Sequence, residues 1–250
     1  NIYNILFPPE TEYVGWVQFA TLNKGKMQSL GYTDFEHIEE KAENLKIKKS
    51  QDYYIMANTV KRFTTRTSDN LFSLNNIIID IDCHSKSNVI SRYEVLKLTE
   101  EIGWRLNRDL WTCGELEMPN IVHYTGRGIQ LIWHIESTSA KLLFLYHKAI
   151  DYIAVIIREW LKEYPTLQRH FEIDITASKN AVGLFRMFNT YNTKAKTMTV
   201  ADVLHDKAIN LNDFVKQLEE SEPVTEYLQR KERINKRYKK QDLNQPFYQF

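Results

Sequence analysis

Two hydrophobic periods alternate along this chain, and the switches between them mark its elements. Ile77-Ile78-Ile79-Asp80-Ile81-Asp82 is a β-branched run that predicts a buried strand. Residues 13–22 and 53–60 also read as strands, and 33–44 as a helix capped by Thr33 or Asp34. Val95, Leu98, Ile102 and Leu106 recur at helical spacing within 91–108. Residues 120–124 and 129–135 bracket Thr125-Gly126-Arg127-Gly128, which predicts strand, glycine turn, strand. Ser139 then caps a long helix with Leu142, Tyr146, Ile150, Ile153, Ile157 and Leu161 on one face. Residues 171–175 form a short strand and 210–220 a surface helix, and Pro223 marks a domain edge. The pattern predicts an α+β unit over 1–222. A basic, helix-prone segment over 223–250 reads as the start of a further module.

With 250 residues, 43% hydrophobic and 26% charged, the chain has globular composition and length for a substantial core. It begins without Met, as expected of a piece of a longer protein. The net charge of +1 excludes a uniformly basic nucleic-acid coat protein, but it hides a segregation. Residues 229–240 carry +6, leaving −5 elsewhere, an asymmetry that points to polyanion contact. Two cysteines cannot build a disulfide framework, so a reduced, cytoplasmic protein is expected. The most apolar stretch, 142–157, is too short and too charged to span a bilayer, and no membrane partner is expected.

Three features can carry chemistry. Asp80 and Asp82 are two apart on a strand, so both carboxylates face one way. A hard divalent cation is the usual resolution of such a pair, and a solvated strand end is the other reading. In Thr125-Gly126-Arg127-Gly128 the glycines allow close backbone approach to a ligand, and Arg127 adds a planar donor fork for phosphate. A plain hairpin turn needs glycine too. The third feature is Asp174 at a strand end, followed by Arg186, Asn189, Thr190, Asn192 and Lys194. Those donors suit a nucleotide's phosphates or sugar, and they also suit an ordinary polar loop.

The order of these features resembles the archaeo-eukaryotic primase superfamily, in particular the replication primases of plasmids and other mobile elements. The family's paired acids match Asp80 and Asp82. Its small residue, Gly-x-Gly and strand ending in Trp match residues 125–133. Its apolar-Asp motif matches Ile173-Asp174, and its Arg-x-Pro-Gly-Thr-x-Asn partly matches residues 186–192. Phe188 and Asn189 stand in place of Pro-Gly, and Gln130 stands where many members have His.

The resemblance implies a primase catalytic core with an RRM-like antiparallel sheet plus an N-terminal αβ portion. It also implies that Asp80, Asp82 and Asp174 hold two Mg²⁺ or Mn²⁺ ions, about 3.5–4 Å apart as in two-metal sites generally. Thr125, Gly126, Arg127, Gly128 and Gln130 would bind the nucleoside triphosphate, with Arg186, Asn189 and Lys194 as further contacts. The partners implied are a single-stranded DNA template and a replication helicase or other element-encoded replication protein. Arg62 and Arg66, and Arg230, Lys231, Arg233, Lys236 and Arg237 in the basic segment, are candidate DNA contacts; solvated arginines and a solvated basic helix are the alternatives. Zinc is not expected, because Cys83, His84, Cys113 and His123 match no compact finger spacing. Two other functions remain open: a replication initiator with an idle primase-like domain, and a metal-dependent nuclease. The His-x-His pair of a strand-nicking relaxase is not in the sequence.

Overall fold

The computed structural model describes residues 1–9, 11, 15–83 and 90–242, with side chains described as far as 236. The start of the strand expected over 13–22 and His84 lie outside these residues.

The chain runs α1 (Ile2–Leu6), β1 (Val17–Asn23), β2 (Lys26–Thr33), α2 (Ile38–Asn44), β3 (Asp52–Met56), β4 (Thr59–Val60) and β5 (Leu71–Cys83). There follow α3 (Arg92–Leu106), β6 (Ile121–Tyr124), β7 (Gly128–Ser139), α4 (Leu143–Leu161), α5 (Pro165–His170), β8 (Phe171–Ile173) and α6 (Ile175–Lys179). The last elements are β9 (Leu184–Arg186), β10 (Tyr191–Asn192), β11 (Thr197–Met198), β12 (Val200–Val203), α7 (Leu211–Glu220) and α8 (Glu222–Asp242). The α+β class expected from the sequence is the class observed, and every strand pairing within the sheets is antiparallel.

The larger sheet has the order β12-β6-β7-β5-β4, with β8 also pairing β5. Its spine is β5, whose Leu74, Ile77, Ile79 and Ile81 are fully buried. Beta-branched residues with no exposed face are what a central strand requires. The strand bulges between Leu74 and Asn76. There the buried Asn58 Oδ1 accepts from the Asn75 and Asn76 amides at 2.7 and 3.0 Å, so the interrupted ladder leaves these two donors paired. A second sheet, β2-β1-β3-β9, and the short β10–β11 hairpin complete the strands.

The long helix α4 packs on β5, with Tyr146, Ile150, Ile153, Ile157 and Leu161 buried as their spacing predicts. Ser139 does not cap it directly: its hydroxyl accepts from the Lys141 amide and starts a 3₁₀ turn over Ala140–Leu142 that leads into α4. The helix expected over 33–44 is likewise divided. Thr33 ends β2, Asp34 caps a 3₁₀ turn over Phe35–His37, and α2 follows. The sequence reading missed β2. Its residues are mostly exposed because it is a sheet edge, so it lacks apolar alternation. Helix α8 begins against the body: Val224 is fully buried in the shared core and Leu228 packs on it. Among the described residues no helix is long and apolar enough to cross a membrane.

Candidate active site

Asp80 and Asp82 lie at the C-terminal end of β5, opposite Gln130 and Gly128 of β7. Between them Ile81 is fully buried, so the period of two turns both acids toward one pocket. That pocket holds about 350 Å³ and is lined by Asp80, Asp82, Thr125, Arg127, Gln130, Arg186 and Lys194, with Tyr54, Cys83, Leu184 and Asn192. Seven of the expected residues are thus brought together from four separate stretches of chain, 80–82, 125–130, 186 and 194.

The glycine turn sits at one wall for two different reasons. Gly126 has φ of 86°, in the left-handed region. Gly128 is needed for approach instead: a Cβ there would lie 2.1 Å from the Ile81 carbonyl oxygen. The turn is closed by the Thr125 amide and hydroxyl, which donate to the Gly128 carbonyl at 3.0 and 3.1 Å. The Arg127 carbonyl accepts from the Cys83 amide at 2.8 Å, and its side chain is exposed at the pocket.

Asp174 reaches the acid pair through strand pairing. Ile173 of β8 stands opposite Ile81, and the Asp174 amide donates to the Asp80 carbonyl at 2.9 Å. Its Oδ1 caps α6 by accepting from the Ala177 amide at 2.8 Å. Burial, then the charges of Asp82 and Asp174, push the Asp80 carboxyl up to about 7, against a hydrogen bond from Gln130 and the charge of Arg186. Among the described residues no three His, Cys, Asp or Glu side chains already converge as a metal-holding group. The donor set nevertheless suits a hard cation: a carboxyl held up by burial and by the charges of two neighbouring acids is what a divalent ion relieves.

Arg186 enters the pocket from β9 and is held by residues that the sequence reading did not single out. Its guanidinium donates to Asp52 Oδ1 at 2.5 Å and to the Tyr54 hydroxyl at 3.2 Å. Asp52 also accepts from the Thr193 amide at 2.9 Å and hydroxyl at 2.6 Å. Burial works against the Asp52 charge, yet these bonds win and hold its carboxyl below the ordinary range. The register of β3 on β9 makes this contact across 134 residues, and no local pattern signals it.

Asn189 is exposed, in the left-handed region at φ 54°, and does not line the pocket. The inward residue is Asn192, whose amide donates to the Thr125 carbonyl at 2.6 Å and so braces the glycine turn. Its place in Thr-x-Asn was the available signal. Arg62 is exposed in the loop before β5 and Arg66 donates to the Val182 carbonyl; neither lines the pocket. In α8, Arg230 pairs with Glu226 and Lys236 with Glu232, Lys231 lies 5.8 Å from the Tyr227 ring centre, and Arg233 is exposed. The Arg237 side chain lies outside those described. Of the zinc-type ligands, Cys83 is buried at the end of β5, Cys113 is exposed after α3, and His123 is buried in β6.

Fold and pocket together define an α+β domain with an acidic, arginine-flanked cleft at the end of its central strand. No protein-family model matches the chain. A replication protein of Clostridium perfringens is 24% identical over 233 residues, covering 92% of this chain and 50% of that protein. The chain therefore spans about half the length of the curated relative it matches. Among solved structures, the AEP domain of the cyanophage S-2L primase-polymerase superposes with a TM-score of 0.49 at 12% identity, covering 87% of this chain and 95% of that one. Primase RepB′ gives 0.47 at 12% identity, with coverage of 97% and 67%. The catalytic domain of RepB′ in complex with initiator DNA gives 0.44 at 12% identity, with coverage of 91% and 95%.

Proposed function

We propose that this chain is the catalytic part of a replication primase–polymerase of a plasmid or other mobile element, which makes or extends primers on single-stranded DNA. The observation that carries the reading is the gathering of Asp80, Asp82, Gln130, Arg127 and Arg186 into one pocket with Asp174 beside it. The Clostridium relative, a replication protein, supports the same process.

On this reading Asp80, Asp82 and Asp174 hold Mg²⁺ or Mn²⁺, which would supply charge neutralisation at the attacking hydroxyl and the leaving pyrophosphate. Asp174 keeps one oxygen on the α6 amide, and its carboxylate would help hold the ion. Arg127, exposed at the pocket, would offer its guanidinium fork to the triphosphate. Arg186 presents a fixed one, because Asp52 and Tyr54 remove its rotational freedom before substrate arrives. The glycine turn lets phosphate oxygens come close to backbone, with Thr125 and Asn192 fixing its shape. Lys194, exposed at the rim, adds charge. A helicase or other replication protein would act beside this domain.

The test is primer synthesis on single-stranded DNA with Mg²⁺ or Mn²⁺ and nucleoside triphosphates. Loss of product in the Asp80→Ala, Asp82→Ala double variant is expected, and unchanged product refutes the assignment. The exposed basic face of α8 favours a second reading, a DNA-binding initiator with an idle site. Salt-sensitive, origin-selective binding without nucleotide incorporation would select it.

A further inference from the structure

His123 lies behind the pocket, fully buried, on the strand next to Gln130 and directly opposite it. Its Nδ1 is 3.1 Å from Gln130 Oε1. Gln130 stands opposite Asp80 on the other side and hydrogen-bonds that carboxylate. The three residues form a row across β6, β7 and β5. The His123 ring also packs edge-on against Phe188, centroids 4.8 Å apart. Gln130 and Phe188, two positions where the chain departs from the motif pattern, therefore both touch His123.

We propose that His123 is a positioning residue: its Nδ1–H holds Gln130 Oε1, which turns the Gln130 amide nitrogen toward Asp80 and the phosphate side of the pocket. Donor and acceptor bookkeeping selects this arrangement at both ends. At the pocket end, with Asp80 ionised as it is above pH 7 or beside a cation, the reversed amide would set Gln130 Oε1 against a carboxylate oxygen, two acceptors with no proton between them. At the buried end, His123 Nε2 has no hydrogen-bond partner. A proton on Nε2 would leave a buried N–H orphaned, whereas a proton on Nδ1 leaves only an unpaired lone pair, the less costly defect. Burial, and the nearby positive charge of Arg186, hold the ring neutral, with its pKa lowered to about 3, so it carries one proton and must place it. A glutamine alone can present either end of its amide. Backed by this histidine it presents only donors, one N–H to Asp80 and the other free to meet a phosphate oxygen.

The nucleotide half of this inference rests on the primase reading; the orientation of the amide does not. Nitrogen-15 spectra of the imidazoles in the metal-free protein above pH 8, where Asp80 is ionised, with His123 assigned by difference against His123→Asn, report which ring nitrogen carries the proton. Nδ1–H is expected, and Nε2–H overturns the proposal whether or not the protein makes primers. In the primer assay, His123→Leu removes the donor at similar bulk and is expected to raise the KM for nucleoside triphosphate about tenfold. His123→Asn keeps a donor near the Nδ1 position and is expected to stay within about twofold of wild type. Adding His123→Leu to Gln130→Ala is expected to cost nothing further, since the histidine acts through the glutamine. A folded His123→Leu with unchanged KM, or independent additive losses in the double variant, overturns the proposal. Should His123→Leu fail to fold, the tautomer decides alone.

Discussion

Replacing Asp80 with asparagine should stabilise the metal-free protein while abolishing its chemistry. The change keeps shape and keeps an acceptor for Gln130, but removes the most strained charge in the pocket. An aspartate whose folded pKa is raised from 3.8 to about 7 binds its proton more tightly folded than unfolded. Below pH 3.8 both states are protonated and nothing is lost. As pH rises toward 7 the unfolded chain ionises first, so stability falls, and above 7 the whole deficit is present. Three units correspond to about 4 kcal/mol as an upper figure. Asp80 is only half-buried, so about 1–3 kcal/mol is the realistic gain after screening, or roughly 3–10 °C in Tm for a chain of this size. The assay is thermal unfolding in EDTA at pH 8 and pH 5. Asp80→Asn should melt higher than wild type at pH 8 and by less than half that margin at pH 5, where the unfolded aspartate is already ionised but the pH has passed only about one of the roughly three units between the two pKa values. Adding Mn²⁺ at pH 8 should raise the wild-type midpoint and leave the variant's almost unmoved. An equal gain at both pH values, or a loss at pH 8, refutes the claim that burial and the neighbouring acids raise the Asp80 carboxyl.

Gly128→Ala drives a methyl group into the Ile81 carbonyl and must part β7 from β5 beside Asp80 and Asp82; it should cost about 2–4 kcal/mol in urea unfolding and most activity, and a near-neutral result would show the strands to be pliable there. Asp52→Ala leaves Arg186 buried without its partner, so a loss of about 3–5 kcal/mol is expected together with a raised nucleotide KM; a stability loss with unchanged KM would remove Arg186 from the nucleotide site. Truncation after Leu228 keeps Val224 in the core and removes the exposed basic turns of α8, so it should weaken template binding and flatten its salt dependence more than it lowers turnover on saturating template. The reverse result would move DNA affinity to the body.

Local physics alone determined a good part of this protein. The period of two on β5 put Asp80 and Asp82 on one side before any contact was known. Thr125-Gly126-Arg127-Gly128 announced its turn, because a positive φ and a close approach are demands that glycine meets. The face of α4 was readable from five apolar residues at helical spacing. What the sequence could not supply is whatever depends on which strand lies beside which. Asp174 joins the acids only because β8 pairs with β5, and Arg186 is fixed only because β9 lies against β3, which brings Asp52 to it. The choice between Asn189 and Asn192 turned on one left-handed residue in a loop. His123 offered itself in sequence only as an ill-spaced metal ligand. Register made it Gln130's neighbour, and burial made it neutral. Side-chain periodicity is a property of each strand by itself; register and burial belong to the pairs and layers that strands form, and this pocket is built from four such pairings.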